Sequence, residues 1–195
     1  NLEIEYFVHG ALCVSFSGGC LMSSFMNGDS GNRGRCNQPC RLAYTTTLSN
    51  NPPKYLLSTA DQCFLHKLDR LISLGVDSLK IEGRLKQPHY VGEVVSIYRS
   101  ILDKKSSIDN SKMSRLYRAY NRGNFSGGYN YNSTKEIMSV DIQGNLGDYI
   151  GEVVVCKNKT LTIKSNKALN VGDGVKIILG KKEIAGMSVT AVNYK

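Results

Sequence analysis

No apolar run in this 195-residue chain approaches the roughly 18 residues that a membrane-spanning helix needs. That leaves no basis for a bilayer-crossing helix, and no membrane role is expected. No signal-peptide pattern opens the chain either, so its thiols are expected to be reduced and its compartment the cytoplasm. Acidic side chains are few: 16 against 25 lysines and arginines, a formal net charge of +9. The excess favours polyanions as partners, whether nucleic acid, acidic membranes or anionic substrates, although a merely soluble basic protein has the same balance. Histidine is scarcer still, at three residues. A cysteine peptidase needs a thiol–imidazole pair. His9 lies four residues from Cys13, but no histidine here has a recognisable protease context.

Cysteine, by contrast, is crowded. The stretch "HGALCVSFSGGCLMSSFMNGDSGNRGRCNQPCR", residues 9–41, holds four of the six. A chain of this length can bury a core without disulfide bridges, which raises the metal reading of those thiols. The spacing is Cys13-x6-Cys20-x15-Cys36-x3-Cys40, followed by Cys63; Cys156 stands apart and reads as a small buried residue. Structural zinc favours paired knuckles, and only Cys36-x3-Cys40 has that form. Scattered thiols among glycines suit an iron–sulfur cubane better, since it is wider than a bare ion and accepts hydrogen bonds from freed backbone amides. Zinc and free or catalytic thiols remain the alternatives. Arg33, Arg35 and Arg41 bracket the thiols, where they would lower thiolate pKa values and offset a cluster's negative charge.

Residues 1–8 alternate as a strand, and 9–41 are expected to form a long functional loop with a short helix. "KYLLS" (54–58) reads as a strand. "STADQCFLHKLDRLISLG" reads as a helix with Thr59 and Gln62 at capping-box spacing, or Asp61 capping a slightly later start, and Leu65, Leu68 and Ile72 on its apolar face, stopped by Gly75. "VDSLKIEG" then gives a strand, and a helix starting near Pro88 buries Val91, Val94 or Val95, Tyr98, and Ile101 or Leu102. A further helix covers about 110–122, with Arg115, Arg118 and Arg122 as a solvated face or a phosphate track. This alternation predicts parallel βα units, too few for a closed barrel of about eight strands. The chain is therefore expected to be a piece of a longer polypeptide which, folding alone, would cover its open edge by dimerising. The predicted organisation is α/β: residues 1–105 as the C-terminal part of a TIM-like (β/α) barrel, 106–147 as helical connector and linker, and 148–195 as a small antiparallel β-barrel of four or five strands.

"KIEGR" (80–84) closes the strand after the first helix. At a barrel strand's C-terminal end, Lys80 and Glu82 are candidates for acid–base or orienting work and Arg84 for an anion clamp, unless the three only form inter-strand salt bridges.

"EYFVHGALCVSFSGGCLMS" resembles the motif of the collagenase-like peptidase family U32, matched here by Glu5, Phe7, Gly10, Ala11, Leu12, Cys13, Gly18, Cys20, Met22 and Ser23. "NRGRCNQPCR", "DSLKIEGRLKQPHYVGEVVSIYR" and "YIGEVVV…LNVGDGVKI" resemble further family blocks, so the likeness covers nearly the whole chain. The resemblance implies either peptidase activity on collagen-like substrates or, in another branch, hydroxylation of tRNA or rRNA bases or of quinones, with a 4Fe–4S cluster. It implies Cys13, Cys20, Cys36 and Cys63 as cluster ligands, with Cys40 able to replace Cys36. It further implies RNA as partner and prephenate as a required metabolite. By their charge and position, Arg33, Arg41, Lys80 and Arg84 are then candidate substrate contacts, and Lys80 and Glu82 candidate catalytic groups. A non-catalytic scaffold is the third reading.

Overall fold

Leu2 and Ile4 continue the apolar rhythm of the opening segment but have nothing to pack against, and both are exposed. Strand β1 accordingly spans Glu5–Ala11, later than the alternation places it. The computed structural model describes residues 2–16, 18–48, 50–104, 107–130 and 134–194. The chain divides into two units, Asn1–Gly147 and Asp148–Lys195.

In the first unit, β1 sits in a four-stranded sheet with β2 (Asp61–Cys63), β3 (Ser78–Ile81) and β4 (Phe125–Ser126), in the order β3-β1-β2-β4. β1 and β3 run parallel, with Tyr6 opposite Leu79 and His9 opposite Ile81. β2 runs antiparallel to β1, pairing His9 with Cys63 and Ala11 with Asp61, and β4 runs parallel to β2. The sheet is thus mixed, and the described residues form no closed barrel.

β2 lies inside the stretch that reads as a helix. Thr59, Asp61 and Gln62 are buried, and they bond across the chain instead of capping a local turn. Asp61 pairs with Arg122 at 2.6 Å, and Gln62 Nε2 donates to the carbonyl of Phe7. Those distant partners outweigh helix propensity, so helix begins only at Leu68. Two short helices, α1 (Met22–Asn27) in the thiol loop and α2 (Leu68–Ser73) here, have left-handed glycines at or just past their ends, Gly28 and Gly75. The register brings Leu71 into the core in place of Ile72, which is exposed. "KYLLS" forms no strand either: Lys54 makes an isolated bridge to Tyr44 and the chain then turns.

α3 (Pro88–Leu102) opens on its proline, and α4 (Asn110–Ala119) is capped by the Asp109 carboxylate, which accepts from the Lys112 amide at 2.8 Å. α3 buries Tyr90, Val94, Ile97 and Tyr98, leaving Val91 and Val95 at the rim. Together with Phe64 and Leu116 these side chains form the core, each worth about 1.5–3 kcal/mol of burial. The arginine stripe read on α4 is dispersed. Arg115 pairs with Glu93, Arg118 is exposed, and Arg122, beyond the helix end, is buried.

The second unit contains two hairpins among its described residues. β5 (Gly151–Lys157) pairs with β6 (Thr160–Ser165), and β7 (Gly174–Leu179) with β8 (Lys182–Ser188). Asn158 and Lys159 turn the first hairpin, both at positive φ, as a two-residue turn requires. Cys156 is exposed on β5, a correction to its reading as a buried residue. The described residues contain no helix long and apolar enough to cross a membrane.

Candidate functional site

The strand ends that carry the site are set by one glycine. Gly10 has φ +120°, and a Cβ there would lie 2.5 Å from the carbonyl oxygen of Glu82. Without a side chain, β1 passes close to the chain leaving β3, and the Glu82 amide donates to the His9 carbonyl at 2.8 Å. Cys13 and the Glu82–Arg84 segment therefore leave neighbouring strands.

Arg41 fixes the far side of the thiol loop. Its Nη2 donates to the Leu12 carbonyl at 2.8 Å and to Thr59 Oγ1 at 3.0 Å. Its Nη1 donates to Ser58 Oγ and to the Thr59 carbonyl. Charge-assisted bonds of this kind are the strong ones. They tie the segment after Cys40 to the residue before Cys13. Arg41, expected as a substrate contact, is instead committed to the protein's own carbonyls and hydroxyls.

Cys13, Cys20, Cys36 and Cys40 share one neighbourhood. The Cys40 thiol is pushed up by burial, lowered by Arg41, and pushed up again by the negative charge of Cys13, Cys36 and Cys20. The Cys36 sulfur accepts from the Gln38 amide at 3.4 Å. Buried Ser23, a residue of the motif, accepts from the Asn37 amide and lies 3.9 Å from the same sulfur. Gly31 lies between the two thiol segments: a Cβ there would be 3.8 Å from the Cys36 Cβ and 4.0 Å from the Cys20 carbonyl oxygen. Cys63 is placed otherwise. Burial raises its thiol, and its sulfur lies 3.9 Å from the Tyr98 hydroxyl.

Among the described residues, no three histidine, cysteine or carboxylate side chains converge as they would on a single metal ion. Three thiols near enough to act on the charge of Cys40, with an amide aimed at the Cys36 sulfur, suit a wider polynuclear cluster better than a single ion. The donor set that fits is Cys13, Cys20, Cys36 and Cys40, with Cys63 outside it.

The remaining candidates separate. Lys80 is exposed, opposite Phe7 in the sheet. Glu82 folds back to accept from the Arg84 amide at 2.9 Å, so it caps its own loop. Arg84 is exposed and reaches the thiol loop, where a Cβ on Gly34 would lie 3.9 Å from its Nη1. Arg33 ends the turn Gly31–Arg33 beside it, and among the described residues neither arginine has an ion-pair partner. Sequence reasoning missed Tyr129, whose hydroxyl donates to the Cys13 carbonyl at 2.9 Å. Its phenol is pushed up by burial and by the charge of Cys13. Nothing in its glycine-rich surroundings marks it out.

His9 turns into the core. Its Nδ1 lies 3.3 Å from the Tyr98 hydroxyl, its ring packs beside Phe125, and burial lowers its pKa to about 3. Its Nε2 is buried without a hydrogen-bond partner. No thiol among the described residues is hydrogen-bonded to a histidine.

Comparison with known proteins gives one family. The family model described as Peptidase family U32 matches residues 1–139. The 23S rRNA 5-hydroxycytidine C2501 synthase of Escherichia coli (strain K12) is 34% identical over 209 aligned positions, covering 98% of this chain and 32% of the relative. The tRNA hydroxylation protein P1 of Bacillus subtilis (strain 168) is 38% identical, covering 53% of this chain and 27% of its own. A collagenase of Porphyromonas gingivalis is 34% identical over 66% of this chain and 38% of its own. The chain thus spans between about a quarter and two fifths of these relatives. No solved structure matches.

Proposed function

The chain belongs to peptidase family U32, and on that premise we propose that it serves in the hydroxylation of tRNA or rRNA bases in the cytoplasm. The observation that carries this reading is the gathering of Cys13, Cys20, Cys36 and Cys40 beside the unpaired cations Arg33 and Arg84. The relatives named for rRNA and tRNA hydroxylation support it.

In this reading the thiols hold an iron–sulfur cluster of the 4Fe–4S type, which when bound supplies one-electron redox chemistry. Cys13 and Cys20 are ligands in every assignment, and Cys36 is the third unless Cys40 replaces it. Cys40 is the fourth on the present geometry, and Cys63 takes that place if its side chain turns from Tyr98 to the loop. Arg33 and Arg84 hold anionic substrate, the phosphates of an RNA and an anionic metabolite such as prephenate. Arg41 positions the thiol loop, Glu82 orients Arg84, and Lys80 is left as the proton-handling candidate. The fold belongs with this proposal: parallel β1 and β3 are adjacent strands of the C-terminal part of a TIM-like barrel over residues 1–105, 106–147 the connector, and 148–195 a small β-barrel.

The peptidase reading is supported by the collagenase match. It lacks a nucleophile–base pair among the described residues, and His9, its nearest histidine in sequence to a loop thiol, is buried away from solvent.

Anaerobic purification of the full chain, with iron, sulfide and zinc analysis and a visible spectrum, tests the proposal. A brown protein is expected, bleached by Cys20→Ala and unaffected by Cys156→Ser. Comparison of Cys36→Ser, Cys40→Ser and Cys63→Ser identifies the remaining two ligands. A colourless, iron-free protein with stoichiometric zinc ends this reading. Nucleoside mass spectrometry of RNA from cells with and without the protein tests the reaction itself.

A further inference from the structure

A second cationic place lies downstream of Arg84. The first turn of α3 has no capping side chain: it opens on Pro88, and the Tyr90 amide donates to the Gln87 carbonyl at 3.0 Å. Against it lies an open-sided cavity of about 220 Å³, lined by Lys86, Gln87, His89, Arg118, Tyr120 and Asn145 among others. No carboxylate lines it.

Lys86 is the telling residue. Its ammonium sits over the ring of Tyr120 and 5.8 Å from the centre of Tyr90, and Arg122 stacks on Tyr120 at 5.1 Å. Among the described residues, the side chains of Lys86, His89 and Arg118 have neither hydrogen-bond nor ion-pair partners. Half-buried ammonium without a carboxylate is costly. Burial accordingly lowers its pKa to about 7, with Asp61 and Glu82 raising it and Arg122 and Arg41 lowering it further. An anion in the cavity would complete this set.

We propose that the cavity seats one backbone phosphate of an RNA strand, held by Lys86, His89 and Arg118. This rests on the RNA reading above and adds a foothold to it. Size argues for a polymer: about 220 Å³ falls below the roughly 300–1,000 Å³ of sites that enclose a whole small molecule. A strand needs room there for only one phosphate group. The path argues likewise. Arg33 and Arg84 at the thiol loop, then Lys86 and Arg118 make a run of basic side chains without ion-pair partners among the described residues, with the His89 imidazole beside them as a hydrogen-bonding group, along which a backbone can lie. Such tracks supply most of the non-specific affinity for nucleic acid.

The test is fluorescence anisotropy of the full chain with a labelled single-stranded RNA over a salt series. Arg118→Ala and His89→Ala change exposed side chains, and Arg99→Ala, on α3 but paired with Asp103, is the control. Arg118→Ala is expected to weaken binding roughly fivefold and to flatten the log K against log salt slope by about 0.7, with a smaller loss for His89→Ala and none for Arg99→Ala. Unchanged affinity and slope in both cavity variants overturns the proposal, as does failure of the unaltered chain to bind. A loss of affinity for inorganic phosphate alone, with RNA binding intact, assigns the cavity to a free anion and also overturns it. Intact RNA binding through the cavity without any base hydroxylation sinks the earlier reading and leaves this one standing.

Discussion

Between Cys13 and Leu42 the chain is held by polar bonds: the four donated by Arg41, the Ser23 hydroxyl, the amide on Cys36 and the phenol of Tyr129. Beneath α3 and α4 it is held by Phe64, Val94, Ile97 and Leu116, buried to within 1%. The difference is one of reach. Apolar burial is shared among many neighbours, so losing one side chain is felt by the whole unit. Polar bonds in a loop are individually replaceable by water, so their loss loosens the loop before the fold. A loop that carries four thiols is held here in the second way.

Four experiments can break or sharpen that contrast. Phe64→Ala should cost about 3–5 kcal/mol by chemical denaturation and lower every spectroscopic probe together. Acid should act on the core through His9. Its folded pKa, about 3, lies below its ordinary 6.5, so between these values the unfolded chain binds a proton that the folded one refuses. Stability then falls with pH below about 6.5, by about 1.4 kcal/mol per unit, and levels off near 3. His9→Gln should flatten the slope by that amount relative to the unaltered chain. Arg41→Met should cost about 1–3 kcal/mol by leaving carbonyls unpaired. Its clearer mark should be faster reaction of the loop thiols with a thiol reagent while far-ultraviolet circular dichroism stays unchanged. Ser23→Ala should cost about 1 kcal/mol or less, visible chiefly at Cys36. If Arg41→Met melts the core as Phe64→Ala does, the two regions are one cooperative body and the contrast fails.

Local signals in the sequence were legible where local physics decided. The proline that opens α3 and the glycine after α2 stand where the sequence predicts a start and a stop. The stretch around Asp61 was not legible as a strand, because its fate is settled by Arg122, 61 residues away. The site divides in the same way. Crowding of thiols is a matter of sequence, and four of them do share a neighbourhood. Which thiol stands apart is a matter of packing: Cys63 follows β2 to Tyr98, while Cys40 follows Arg41 to the loop. Arginine beside cysteine gave no hint that its guanidinium serves carbonyls and hydroxyls, since those acceptors arrive only with the fold.

Position 10 works as a spacer of zero thickness. A single methyl group there would act as a wedge between the exits of β1 and β3, prising the thiol-bearing side from the arginine-bearing side. Gly10→Ala should therefore leave every presumed ligand and cation in place chemically and still disable their cooperation. In this corner of the molecule, an atom that is missing sets the distance between those that act.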